Sequence, residues 1–154
     1  MIRKALSKDI NRIIELLADV DLIHHLGRPD IFKIGTKYNK DELEKMIYDT
    51  KNPIFVYTNS SDLVLGYCFT QTHQNLNDPI LTDIKTLYID DLCVEKTTRG
   101  LGIGKKLYEY VKAYAKENGY YNITLNVWEC NFNAKKFYDA LGLKPLKTYL
   151  EEKL

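Results

Sequence analysis

The segment Val94-Glu95-Lys96-Thr97-Thr98-Arg99-Gly100-Leu101-Gly102-Ile103-Gly104-Lys105-Lys106 carries the residue types best suited to hold an anion. A β-type run ends, a glycine-rich loop follows, and an amphipathic helix begins. A helix start leaves several N–H groups without intrahelical partners and carries a partial positive charge. Glycines let backbone approach a bulky anion closely and adopt φ > 0. Together they form a phosphate cradle. Lys105 and Lys106 add to this reading, because cations in a first helical turn oppose the dipole unless an anion binds there. The pattern is not a P-loop, which needs a glycine where Arg99 stands and Ser or Thr where Lys106 stands. Nor is it a dinucleotide fingerprint, whose third glycine, counted from Gly100, falls on Lys105. What remains is Arg-x-x-Gly-x-Gly. Read alone, it also fits a plain glycine-rich turn opening a helix.

A second segment, Asn131-Phe132-Asn133-Ala134-Lys135-Lys136-Phe137-Tyr138-Asp139-Ala140-Leu141-Gly142-Leu143, puts Ala134, Phe137, Tyr138 and Leu141 on one side of a short helix. Alone, it reads as a core helix with an aromatic stripe. Asp90 and Asp91 are adjacent carboxylates on the strand that runs into the glycine loop. Strict alternation sends them to opposite faces, so only one of the two is expected to point into a cleft. Cys93 reads as a buried small hydrophobe. His24, His25 and His73 are scattered, read as surface or loop histidines, and give no reason to expect a metal.

The two motifs, in this order and each after a strand, resemble those of the GCN5-related N-acetyltransferase superfamily over about residues 86–145. The resemblance implies acetyl-coenzyme A as cosubstrate and transfer of its acetyl group to an amine. Arg99, Gly100, Leu101, Gly102, Ile103, Gly104 and Lys105 would then bind the pyrophosphate. Backbone groups of Leu92, Cys93 and Val94 would pair with the pantetheine arm, with Asn131 beside it and the Val94 N–H serving the oxyanion. Tyr138 occupies the superfamily's general-acid position, next to the cofactor, and would protonate a leaving thiolate whose reference pKa is about 8.5. It also fits a buried structural tyrosine. The run Tyr88-Ile89-Asp90-Asp91-Leu92 is similar to the polyamine acetyltransferase branch. There the first member of an acidic pair acts as base through water, which makes Asp90 the first base candidate and Asp91 the second. A solvated or capping carboxylate is the competing reading. Ribosomal-protein alanine acetyltransferases carry a Glu where Asn126 stands, which counts against a protein N-terminus as acceptor, and Glu129 is out of strand phase.

These residues must be positioned by an α/β domain, a mixed and largely antiparallel sheet of about six strands flanked by about four helices. Strands are expected at Ile2–Leu6, Ile54–Thr58, Leu63–Gln71, Thr86–Val94, Ile123–Trp128 and Leu146–Leu150. Asn59-Ser60-Ser61-Asp62 reads as a hairpin turn. Helices are expected from Lys8 to about Val20 with Ser7 as cap, and over Asp41–Thr50 with Asn39 as cap. Two more run from the glycine cluster to about Asn118 and over Asn133–Leu141, each stopped by a glycine. Ile103, Leu107, Tyr110, Val111 and Tyr114 are expected on the third helix's inner face. Asp21–Tyr38 reads as irregular, with Arg28-Pro29-Asp30-Ile31-Phe32 as an acceptor-side wall or a simple turn.

The 154 residues form one expected domain, 1–154, that is 45% hydrophobic with 22 basic and 21 acidic side chains, a net of +1. That balance argues against a nucleic-acid partner. No stretch approaches the roughly 18 apolar residues of a membrane span, and three cysteines without a Cys-x-x-Cys pair give no disulfide framework. A cytoplasmic enzyme is the expectation, and a homodimer is compatible with the resemblance. Between Lys96 and Lys147, ten basic side chains face four acidic ones, suited to an anionic cofactor. The expected acceptor is a small amine or polyamine. Alternatives are a protein lysine or N-terminus, an aminoglycoside, a longer acyl donor, or a coenzyme A sensor without turnover.

Overall fold

A computed structural model describes residues Met1–Leu154. The chain runs β1 (Ile2–Lys4), α1 (Ile10–Gly27), α2 (Lys40–Ile47), β2 (Ile54–Thr58), β3 (Val64–Gln74), β4 (Lys85–Val94), α3 (Ile103–Glu117), β5 (Asn122–Leu125) and α4 (Phe132–Ala140). One five-stranded sheet has the order β1-β2-β3-β4-β5. Its first three pairings are antiparallel and the last, β4 with β5, is parallel. Helices α1 and α2 cover one face over a core built on Ile13, Leu17, Leu43, Val56, Tyr67 and Phe69. Helix α3 covers the other, over Phe55, Cys68, Leu87, Ile89, Leu107 and Val111.

The hairpin between β2 and β3 forms as its turn residues require. The Asn59 carboxamide oxygen accepts from the N–H groups of Ser61 and Leu63, and Asp62 takes φ 60°. Helix α2 begins with a reciprocal cap: Asn39 accepts from the Glu42 N–H at 2.9 Å, and Glu42 accepts from the Asn39 N–H at 2.8 Å.

Several sequence expectations are corrected. Ser7 does not cap α1; its hydroxyl meets the Tyr48 hydroxyl at 3.1 Å. The buried Asp9 carboxylate accepts from the Leu6 N–H at 2.8 Å while held by both Arg3 Nη atoms. A charged acceptor locked by Arg is stronger than a hydroxyl. Helix α1 runs seven residues past Val20, because nothing from Asp21 to Leu26 breaks a helix and the first breakers are Gly27 and Pro29. Tyr110 is 41% exposed on α3, and Tyr108 and Ala115 are buried in its place. Tyr110 instead meets Phe55 edge-on from the helix flank at 5.4 Å. No strand forms at Leu146–Leu150. That run finds no neighbouring backbone to pair with, its apolar side chains stay exposed, and Glu151 beyond it binds Arg28. The sheet therefore has five strands. Gly66 on β3 is where α3 seats closely: a Cβ there would stand 2.8 Å from the Cys93 oxygen and 3.2 Å from Leu107 Cδ1.

Candidate active site

Strands β4 and β5 part company. Their register runs Thr86–Ile89 against Asn122–Leu125 and stops. Beyond Ile89, β4 keeps β3 on one side and has no strand on the other. The sequence placed β5 as far as Trp128; the strand instead ends at Leu125, where the parallel ladder stops. Which β4 groups face the gap follows from the antiparallel alternation. The Glu95 N–H donates to the Leu65 oxygen at 2.8 Å, so the Cys93–Tyr67 and Asp91–Phe69 pairs also point their backbone groups at β3. Leu92 and Val94, between them, direct theirs toward the gap. The Val94 carbonyl indeed accepts from Arg99 Nε at 3.2 Å. The Cys93 side chain turns into the α1 core, with Sγ 3.7 Å from the Leu16 oxygen, and burial pushes its thiol up to about 12.

At the end of β4 the glycine loop opens α3. Gly100 and Gly102 take φ of 84° and 76° with open space where a Cβ would stand, so both are required by backbone conformation. The first helical bond runs from the Lys106 N–H to the Gly102 oxygen at 3.0 Å. The N–H groups of Gly100, Gly102, Ile103, Gly104 and Lys105 have no protein acceptor, and those of Arg99 and Leu101 have only long 3.4 Å contacts. No acidic side chain lies in this first turn. An unopposed helix dipole, unpaired amides and exposed lysines at one point suit a doubly charged phosphate group.

Helix α4 packs on that first turn. A Cβ on Gly104 would meet the Phe137 ring at 3.2 Å, so the glycine also admits α4. Asn131 caps α4, accepting from the Ala134 N–H at 3.2 Å, and the helix begins one residue earlier than expected. Tyr138 stands edge-on to Phe137 at 5.0 Å. Its hydroxyl has no protein hydrogen-bond partner, although no enclosed side-chain nitrogen or oxygen lacks one; the hydroxyl therefore reaches open space. Burial, with further contributions from Cys68 and Asp91, raises its pKa well above the ordinary tyrosine value. It stays protonated and able to donate.

The acidic pair departs from its expected geometry. Phe69 pairs with Asp91 and Thr70 with Ile89, so Asp90 is an extra residue in β4, a bulge. The bulge breaks the alternation and puts both carboxylates on the α1–α2 face. Asp90 accepts from Lys37 Nζ at 2.8 Å and from the Tyr38 hydroxyl at 2.6 Å. Asp91 accepts from the Tyr67 hydroxyl at 2.8 Å. Tyr38 stacks on Phe69, and Phe69 meets Tyr67 edge-on, so the two carboxylates share one aromatic frame. Burial raises the Asp91 carboxyl to about 6, against the lowering effects of Tyr67 and Lys37. Asp21 joins the group, accepting the Lys37 backbone N–H at 2.7 Å. Sequence reading missed Lys37, Tyr38, Tyr67 and Asp21. Their only local signal is that Lys37 and Tyr38 directly precede the α2 cap.

The rim on this side is aromatic. His24 stacks on Phe32 at 5.1 Å, and Phe32 meets Trp128 edge-on at 4.8 Å. His25 Nδ1 lies 2.6 Å from the Phe32 oxygen, so the Arg28–Phe32 stretch is anchored to α1. Asn126 donates to the Tyr88 hydroxyl at 3.2 Å. Glu129 is exposed and paired with Lys135.

The Acetyltransferase (GNAT) family model matches residues 20–143. An uncharacterised N-acetyltransferase of Lactobacillus delbrueckii subsp. lactis is 30% identical over 105 residues, 68% of this chain and 59% of that protein. The chain thus spans less than two thirds of that relative. A 5-NmdU N-acetyltransferase of Pseudomonas phage PaMx11 is 29% identical over 112 residues, 70% of this chain and 71% of that one. Among solved structures, a mutant of the BH1408 protein from Bacillus halodurans superposes with a TM-score of 0.96 at 30% identity, covering 100% of this chain and 99% of that one. A metagenomic aminoglycoside acetyltransferase in complex with sisomicin shares the fold at a TM-score of 0.68 and 18% identity, covering 100% and 95%.

Proposed function

The chain belongs to the acetyltransferase (GNAT) family, and from that premise we propose that it is an N-acetyltransferase moving the acetyl group of acetyl-coenzyme A to the primary amine of a small cationic acceptor. The observation that carries the reading is the group of backbone donors without protein acceptors, at Gly100 and Gly102–Lys105, beside the open edge of β4. These groups fit the cosubstrate: amides and Arg99 for the pyrophosphate, Leu92 and Val94 for the amide-bearing pantetheine arm, and Asn131 alongside. Acetyl-coenzyme A supplies an activated thioester carbonyl. The Val94 N–H donates to its oxygen as charge builds there. The Tyr138 hydroxyl, kept protonated by burial, gives its proton to the departing sulfur.

The acceptor amine enters from the α1–α2 side, where three carboxylates attract a cation. It must lose a proton before attacking, since a free alkylamine has a pKa near 10.4. Asp91 suits this task better than Asp90. A carboxyl near 6 is ionised at neutral pH yet more basic than an ordinary one. Asp90 is committed to Lys37 and Tyr38.

The test is thiol release from acetyl-coenzyme A across a panel of alkylamines, diamines, aminoglycosides and a lysine peptide. Faster release with small cationic amines than with the peptide supports the reading. Coenzyme A binding with no release for any amine would leave the non-catalytic sensor in its place.

A further inference from the structure

We propose that the Lys37 ammonium is an internal occupant of the acceptor's cation subsite, and that the acceptor carries a second, non-reacting cationic group that displaces it from Asp90. This deepens the proposed acetyl-transfer reading and rests on it.

The geometry is that of a latch. Asp90 sits on the β4 bulge with its side chain 8% exposed, enclosed by Tyr38 on one oxygen and Lys37 on the other. Lys37 is 41% exposed and approaches from the solvent side. Its backbone is fixed separately, by the N–H bond to Asp21. The side chain can therefore swing away without undoing the loop. Three carboxylates, Asp21, Asp90 and Asp91, gather around this one lysine, and the surplus of negative charge favours a further cation. The Tyr38 ring lies 5.5 Å from Lys37 Nζ, another surface that a cation can use.

The subsite fits a cation that does not react. An ammonium paired with an ionised carboxylate is held in its protonated form, the wrong form for attack on a carbonyl. The reacting amine belongs beside Asp91 and the Tyr138 hydroxyl, and the second charge beside Asp90. Such an acceptor is a diamine or a longer polyamine rather than a monoamine.

Lys37→Gln empties the subsite and retains a polar side chain; Lys37→Arg keeps it filled. Thermal melts in rising 1,4-diaminobutane, with 1-aminobutane as control, read occupancy without any turnover. The diamine should stabilise Lys37→Gln at a roughly three- to tenfold lower concentration than wild type, the range expected for losing one internal ion pair. Lys37→Arg should resemble wild type, and 1-aminobutane, with one charge to share between the two carboxylates, should show a smaller difference. Asp90→Asn should abolish the diamine effect, with circular dichroism confirming that each variant is folded. Equal diamine midpoints in wild type and Lys37→Gln, or weaker binding in Lys37→Gln, would overturn the latch. Coenzyme A calorimetry on the same samples separates the two readings: no cofactor binding ends the acetyl-transfer account, whereas cofactor binding with unmoved diamine midpoints ends only this one.

Discussion

The two sides of the cleft are built by different means. On the side proposed for the cofactor, strand end, glycine loop and helix start follow one another within Leu92–Lys105, and nearly every group is backbone. On the acceptor side, the groups come from α1 (Asp21, His24), the segment before α2 (Lys37, Tyr38), β3 (Tyr67) and the β4 bulge (Asp90, Asp91), with Trp128 from beyond β5. Function on the first side depends on backbone conformation, which few substitutions disturb. On the second it depends on side-chain type, which one substitution removes.

The largest effect is expected from Asp91→Asn. With Asp91 as base, kcat/KM should fall about 10²- to 10⁴-fold, the usual worth of general-base catalysis. The wild-type profile should rise through a pKa near 6, and the variant should lose that limb. Unchanged coenzyme A affinity would confine the damage to the acceptor side. A variant that keeps the rise near 6 would hand the base role to another group.

Tyr138→Phe lies at the border of the two regions and should cost about 10²-fold in kcat with cofactor affinity retained. An equal loss in affinity would make Tyr138 part of the binding surface alone.

Gly102→Ala acts on the cofactor side. At φ 76° a Cβ meets backbone strain rather than crowding, costing roughly 1–2 kcal/mol, or about tenfold in coenzyme A affinity if the loop shifts to relieve it. Acceptor discrimination should not change.

The smallest effect is thermodynamic. The Asp91 carboxyl has a folded value raised above its unfolded one, so the folded state binds that proton more tightly. Its favourable contribution is complete below about pH 4 and is lost as pH rises through about 6. The melting temperature of Asp91→Asn minus that of wild type should therefore grow across this interval, and a flat difference would contradict the raised value that burial gives this carboxylate.

This contrast also explains what the sequence made legible. The side proposed for the cofactor is local, so the glycine loop and helix start at Arg99–Gly104 and the short helix within Asn131–Gly142 could be read directly, as could the caps and turns at Asn39, Asn59 and Gly119. The acceptor side is assembled from residues far apart in the chain, 53 positions in the case of Lys37 and Asp90. A β-bulge leaves no mark in a two-residue period, so Asp90 and Asp91 were placed on opposite faces. The missing sixth strand has a related cause: Leu146–Leu150 has the composition of a strand, but strand formation depends on a neighbour, which composition does not report.

The central claim is that backbone N–H groups at the start of α3 and on the free edge of β4 hold the cosubstrate. Amide-resolved NMR during a coenzyme A titration tests it directly. The account predicts saturable shifts of the Gly100, Gly102, Ile103, Gly104 and Lys105 amides together with Leu92 and Val94, while amides in β1 and β2 stay in place. Saturation with these amides unmoved, or no response at millimolar coenzyme A, would contradict it.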